Sequence, residues 1–191
     1  IMEVSCLILA GGKSSRLKNK PFLVLKDKPL VKHVFDNLRK IFSDIVIVVK
    51  NEKDKVKVER IIKDCRIVVD ENKIFSPIAG IVSGIKHVKN DFVFVVACDM
   101  PFVKEKTVKE LLSRIDNETK CACYAYSLNK FEPLCAIYRK DFFKGISLEE
   151  SLSKAIEKER NRVLVPIAKE TDEFFNINTK RDFKKAEKLL S

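Results

Sequence analysis

A chain of 191 residues, 46% of them hydrophobic, has the size of one α/β domain with one large core. It has no apolar run near the ~18 residues of a membrane span, and its opening lacks the basic–apolar–small order of a secretion signal, so a cytoplasmic protein is expected. The net charge of +11, from 38 Lys+Arg against 27 Asp+Glu, comes from lysines spread along the chain rather than from aromatic-interleaved basic blocks. That pattern argues against a nucleic-acid partner and leaves a polyanionic small molecule as the alternative to a merely lysine-rich background.

In chain order, Val4 to Ala10 reads as a buried parallel strand. It breaks at Gly11 and Gly12, where positive φ and close approach of a ligand are sterically open. Free N–H groups in such a turn form an anion-binding concavity. Lys13, Arg16, Lys18 and Lys20 follow and would neutralise a triphosphate. Lys20 to Leu25 is a short extended piece. Pro29 can open a helix, and Leu30, Val31, Val34, Leu38, Ile41 and Phe42 give it an apolar face. Ile45–Val49 is a β-branched strand ended by Lys50 and Asn51. A helix is expected over 53–63, then the strand Ile67–Val69 ending at Asp70.

Ser76-Pro77 leads into a helix over 78–85 in which Gly80 and Gly84 share a bare face. Asp91 to Ala97 is the strongest strand, closed by Cys98-Asp99-Met100-Pro101. A helix is expected over 107–115. Cys121–Ser127 and Leu134–Tyr138 read as an antiparallel excursion. Ser147 and Glu150 form a candidate capping box for another helix. Arg162–Ile167 is a strand, and Thr179 with Asp182 caps the last helix. Strands alternating with helices imply a single-domain (1–191), doubly wound, mostly parallel α/β sheet of the Rossmann-like kind, with a small antiparallel excursion. The strand order is not legible.

Sheets of this type bind ligands at the carboxyl ends of their strands. The residues expected there are Gly11 and Gly12, Asn51, Asp70 and Asp99. An isolated Asp99 behind a buried strand needs a partner, and Mg²⁺ with phosphate oxygens supplies one. The glycine loop is neither a Walker loop nor Gly-x-Gly-x-x-Gly. The six cysteines lack zinc-ligand spacing and read as reduced, buried thiols. His33 and His87 read as surface or packing residues.

Five stretches together resemble the molybdenum cofactor guanylyltransferases, within the nucleotidyltransferases. They are Leu9-Ala10-Gly11-Gly12-Lys13-Ser14-Ser15-Arg16, Ser76-Pro77-Ile78-Ala79-Gly80, Cys98-Asp99-Met100-Pro101-Phe102, Glu132-Pro133-Leu134-Cys135-Ala136 and Asn176-Ile177-Asn178-Thr179. The loop after Arg16 is one residue shorter than the family pattern and lacks its Gly and Asp; Lys20 best matches the phosphate-binding lysine, and Lys18 is the substitute. The resemblance implies transfer of GMP from GTP to the terminal phosphate of molybdopterin cofactor, with Mg²⁺ on Asp99 and release of pyrophosphate. It implies that Arg16, Lys20 and Asp99 serve catalysis. It further implies that Leu9, Ala10, Gly11, Gly12, Lys20, Asn51, Asp70 and Asp99 bind GTP, and that Asn176 and Asn178 face the acceptor. A GTP-binding helper protein and acceptor apoenzymes would be its partners, with neither nucleic acid nor membrane. The alternatives are another phosphorylated acceptor (cobinamide, sugar or polyol phosphate) and a GTP-binding protein without turnover.

Overall fold

The computed structural model describes residues 2–12, 16–167 and 171–191. Its first strand, β1 (Val4–Leu9), is followed by a 3₁₀ turn at Lys20–Phe22 and a two-residue hairpin, β2 (Val24–Leu25) and β3 (Lys28–Pro29). Then come α1 (Leu30–Leu38), β4 (Ile45–Val49), α2 (Glu52–Ile61), β5 (Arg66–Val69), α3 (Pro77–Ile85) and β6 (Phe92–Ala97). The chain continues through α4 (Glu105–Arg114), β7 (Cys121–Ser127), β8 (Lys130–Arg139), α5 (Leu152–Lys158), β9 (Arg162–Pro166) and α6 (Lys180–Leu189).

The main sheet has the order β5-β4-β1-β6-β8-β7-β9. Its members run parallel except β8, which is antiparallel to both β6 and β7. The expected doubly wound sheet with one antiparallel excursion is therefore the observed fold. The alternation within the apolar runs explains the layering. Ile45, Ile47 and Val49 of β4 belong to the cluster on the sheet face covered by α1, α2 and α4, whereas Val46 and Val48 belong to the one on the opposite face, covered by α3 and α5. Because both faces are covered, β4 and β6 carry no polar residue and are buried throughout. A third, smaller cluster of Leu17, Leu25, Leu30, Ile177 and Ala186 ties the hairpin and α6 beneath the first loop.

Four local expectations differ from the structure. The helix expected after Ser147 starts later: Ser151 caps α5 through Lys154 N, and Ser147–Glu150 closes a turn instead. Ile146 and Leu148 pack into the α3-side cluster, and the Leu148 carbonyl accepts from the Ser76 hydroxyl; this holds the segment out of a helix. Lys20 to Phe22 is a 3₁₀ turn rather than extended, and Pro29 ends β3 as the residue before the helix. Finally, neither Gly11 nor Gly12 has positive φ. Gly11 is small for a different reason: a Cβ there would lie 3.2 Å from Val49 C and Lys50 N, so the loop crosses the end of β4 in close contact.

Gly80 and Gly84 separate into two roles. A Cβ on Gly84 would sit 2.4 Å from Leu7 Cδ1 and 2.7 Å from Val48 Cγ2, side chains that are themselves fully enclosed. A Cβ on Gly80 would make ordinary contacts, at 3.5 Å to Leu9 and 3.8 Å to Asp70. Gly84→Ala is therefore expected to destabilise the chain by about 1–3 kcal/mol in urea unfolding, the usual cost of overpacking. Gly80→Ala should stay within about 0.5 kcal/mol of the parent.

Candidate active site

The carboxyl ends of β1, β4, β5 and β6 open on an elongated crevice of ≈ 290 Å³, at the small end of the range for small-molecule sites. Leu9, Ala10, Gly11, Gly12 and Lys20 form its centre, Asp70 and Gly80 one end, and Cys98, Asp99 and Leu134 the other. Among the described residues, a Cβ on Gly12 would meet nothing within 4 Å, and Gly12 is exposed.

Three chain segments meet at Lys20. Its ammonium donates to Asp99 Oδ2 at 2.9 Å and to Asn178 Oδ1 at 2.8 Å, and the Lys20 and Asp99 side chains are only 15% and 14% exposed. The meeting has local causes. Asn19 adopts the left-handed conformation (φ 55°), which asparagine tolerates better than most residues, and the turn it starts directs Lys20 inward while Lys18 stays exposed. Ile177 is fully buried and its N–H donates to the Asp99 carbonyl at 2.9 Å. That bond brings the next residue, Asn178, to the crevice. Asp182 accepts from the N–H groups of Asn178 and Thr179 in the expected capping box.

The second oxygen of Asp99, Oδ1, is buried and has no hydrogen-bond partner among the described residues. Leaving such an oxygen unpaired costs about 1–3 kcal/mol or more for a charged group, a cost expected where a ligand supplies the partner. Burial, with the neighbouring Asp99 carboxylate, pushes the Cys98 thiol up, which disfavours its thiolate form.

At the other end, Asp70 Oδ1 accepts from Ser83 Oγ (2.7 Å), Asn72 N (2.9 Å) and Asn72 Nδ2 (3.2 Å). This fixes the carboxylate with Oδ2 beside Gly80.

Not every candidate converges. Asn51 is absent from the crevice lining; its side chain caps α2, accepting from Asp54 N at 2.8 Å. Arg16 is exposed and outside the lining. Asn176 donates to Phe174 O at 3.0 Å in its own turn, so of the two asparagines only Asn178 reaches Lys20. Lys13, Ser14 and Ser15 lie outside the described residues. Phe75, Pro21, Cys98 and Leu134 also line the crevice; the sequence places Cys98 and Leu134 in matching stretches but gives none of the four a site role. The Glu132-Pro133-Leu134 stretch lies at an irregularity in the β7–β8 pairing. Bulges of this kind re-aim side chains beside active sites. Asn51→Ala is expected to lower stability by about 1 kcal/mol, as for other lost N-caps, with nucleotide affinity unchanged in a titration.

A family model described as the MobA-like NTP transferase domain matches residues 6–173. The chain belongs to the MobA-like NTP transferase family. This family's members are nucleotidyltransferases, and the chain is accordingly an enzyme that transfers a nucleotidyl group to a phosphorylated acceptor. It is 35% identical to a protein of Thermococcus sibiricus named probable molybdenum cofactor guanylyltransferase, over 96% of this chain and 97% of that one. It is 30% identical to a protein of the same name from Natranaerobius thermophilus, over 98% and 97%. The crystal structure of molybdopterin-guanine dinucleotide biosynthesis protein A from Archaeoglobus fulgidus superimposes with a TM-score of 0.77 at 27% identity, covering 98% of both chains. Among the described residues, no helix of this MobA-like transferase is long and apolar enough to cross a membrane.

Proposed function

We propose that the chain transfers GMP from GTP to the terminal phosphate of molybdopterin cofactor, releasing pyrophosphate. The observation that carries the chemistry is the Lys20–Asp99 pair, whose buried Oδ1 has no partner among the described residues, in one crevice with the Gly11–Gly12 bend. The choice of substrates rests on the recurring guanylyltransferase relatives and on the five matching stretches.

The residues fit a magnesium ion that arrives with the nucleotide. No group of three or more His, Cys, Asp and Glu gathers among the described residues. The protein offers one carboxylate whose Oδ1 accepts nothing there, the donor set magnesium uses when phosphate oxygens and water complete its shell. Bound at Asp99, the ion would offset charge on the phosphate oxygens and on the departing pyrophosphate.

The chain's own groups do the rest. The Gly11–Gly12 bend lets the phosphates approach the backbone, and the Lys20 ammonium supplies a positive charge that the triphosphate needs in a partly buried site. Asn178 holds that ammonium from the acceptor side. An oxygen of the acceptor phosphate bonds to the α-phosphorus as the bond to the β-phosphate oxygen breaks. The acceptor is already ionised, which explains why no general base is needed. Catalysis is then positioning plus charge stabilisation.

The test offers α-labelled GTP, CTP or ATP with molybdopterin cofactor, cobinamide phosphate or a sugar phosphate. Label should move only from GTP to molybdopterin cofactor. Equal transfer to another acceptor would overturn the substrate assignment.

A further inference from the structure

Phe75 stands 60% exposed on the loop before α3 and lines the crevice near Asp70 and Gly80. A large aromatic ring left this open needs a reason, and the loop shows that its position is imposed. On one side Asn72 is tied to α3 by Nδ2 bonds to Ala79 O (3.1 Å) and Ser83 Oγ (3.0 Å). On the other, Ser76 caps the same helix, accepting from Ala79 N at 3.0 Å, while its hydroxyl donates to Leu148 O. Pro77 then begins the helix, which restricts Ser76 to extended backbone. Only residues 73–75 lie between these two anchors, so Phe75 is held at the rim and cannot fold back into the core.

The wall beyond it is bare. Gly84, one turn along α3, must be glycine for packing, whereas the space at Gly80 would admit a Cβ at ordinary contact distances. Phe75, Gly80 and Asp70 thus line the same part of the crevice, and Gly80 brings no side chain into it. The sheet order sets which end of a nucleotide reaches this part. Asp70 follows β5 and Asp99 follows β6, three strand intervals apart in the order β5-β4-β1-β6, or about 14 Å. A nucleoside triphosphate spans that gap with its phosphates at Gly12, Lys20 and Asp99 and its base at the β5 edge.

We infer that Phe75 is the stacking platform for the nucleobase of the donor nucleotide, an affinity residue of the transfer reaction. The inference rests on the nucleotidyl-transfer reading above. Stacking tolerates any base, so it supplies affinity, while the Asp70 carboxylate favours a base that presents N–H donors, as guanine does.

The chain contains no tryptophan, so Phe75→Trp places the variant's single tryptophan beside Gly80 and Asp70, where it can be excited selectively over the tyrosines. Its emission should be quenched by GTP and left unchanged by inorganic tripolyphosphate. In steady state, Phe75→Ala should raise the GTP KM about tenfold, a loss typical of one base–aromatic contact, with kcat and competition by tripolyphosphate unchanged. GTP affinity of Phe75→Ala within about twofold of the parent would overturn the inference and leave the transfer reading intact. So would quenching of Phe75→Trp by a free pterin but not by GTP, which would move the ring to the acceptor. A parent chain that binds neither GTP nor tripolyphosphate would overturn both.

Discussion

Asp99→Asn is expected to lower kcat by about 10²–10³-fold, the range seen when one preorganised charge-stabilising group is lost, with the fold retained. The amide occupies the same volume behind β6 and keeps an oxygen for the Lys20 ammonium, so packing around Met100 and Ile177 is undisturbed. What disappears is the negative charge. In the parent, Asp99 Oδ1 is buried without a partner among the described residues, a state that opposes folding and makes sense only if a ligand completes it. The amide is easier to bury than the carboxylate. Asp99→Asn should therefore unfold within about 1 kcal/mol of the parent in a thermal melt, even as pyrophosphate release falls. Normal turnover by this variant would remove Asp99 from the mechanism. Equal losses of stability and activity would make it a packing residue.

Strands were legible in this chain because their burial is two-sided. Ile45–Val49 and Phe92–Ala97 have no polar position, and a continuous apolar run of that length, rich in β-branched residues, has few other uses. The last helix was legible because its signal is local, with Thr179 and Asp182 bonding each other's backbone. Ser147 shows the limit of the same rule. Ser147 and Glu150 have capping-box spacing, yet Leu148 is drawn toward α3 and Ser151 caps the helix instead. Tertiary packing overrode a local signal worth about 1 kcal/mol.

The residues at the strand ends were legible as a set from the general placement of ligands in parallel sheets. What each one does there was not. Asn51 has the right position after β4, but its oxygen is already used by Asp54 N. Lys20 meets Asp99 across 79 residues and Asn178 across 158, separations that no periodicity or spacing encodes. The exposure of Phe75 follows from anchors on α3 and from Leu148, which are equally non-local.

Lys20→Ala is expected to raise the GTP KM by about 10–100-fold, the equivalent of one charge-assisted hydrogen bond to phosphate, whereas Lys18→Ala should change it less than about twofold. The two lysines are close in sequence and identical in chemistry, so the difference tests geometry alone. Lys20 lines the crevice and Lys18 is exposed beyond the Asn19 kink. Removing Lys20 also strands the Asp99 carboxylate, which is 14% exposed, and an unpaired charge at that depth should cost about 1–2 kcal/mol of stability, less than for a fully buried pair. The stability cost and the activity cost then have different remedies. Combining Lys20→Ala with Asp99→Asn removes both charges, and urea unfolding should show stability returning toward the parent. Activity should fall further, because both partners of the phosphate chemistry are gone. A double variant that stays as unstable as Lys20→Ala would show that Lys20 supports the fold through Asn178 rather than through Asp99. A Lys18→Ala variant weaker in GTP use than Lys20→Ala would mean that the shortened loop carries the phosphate contact on Lys18.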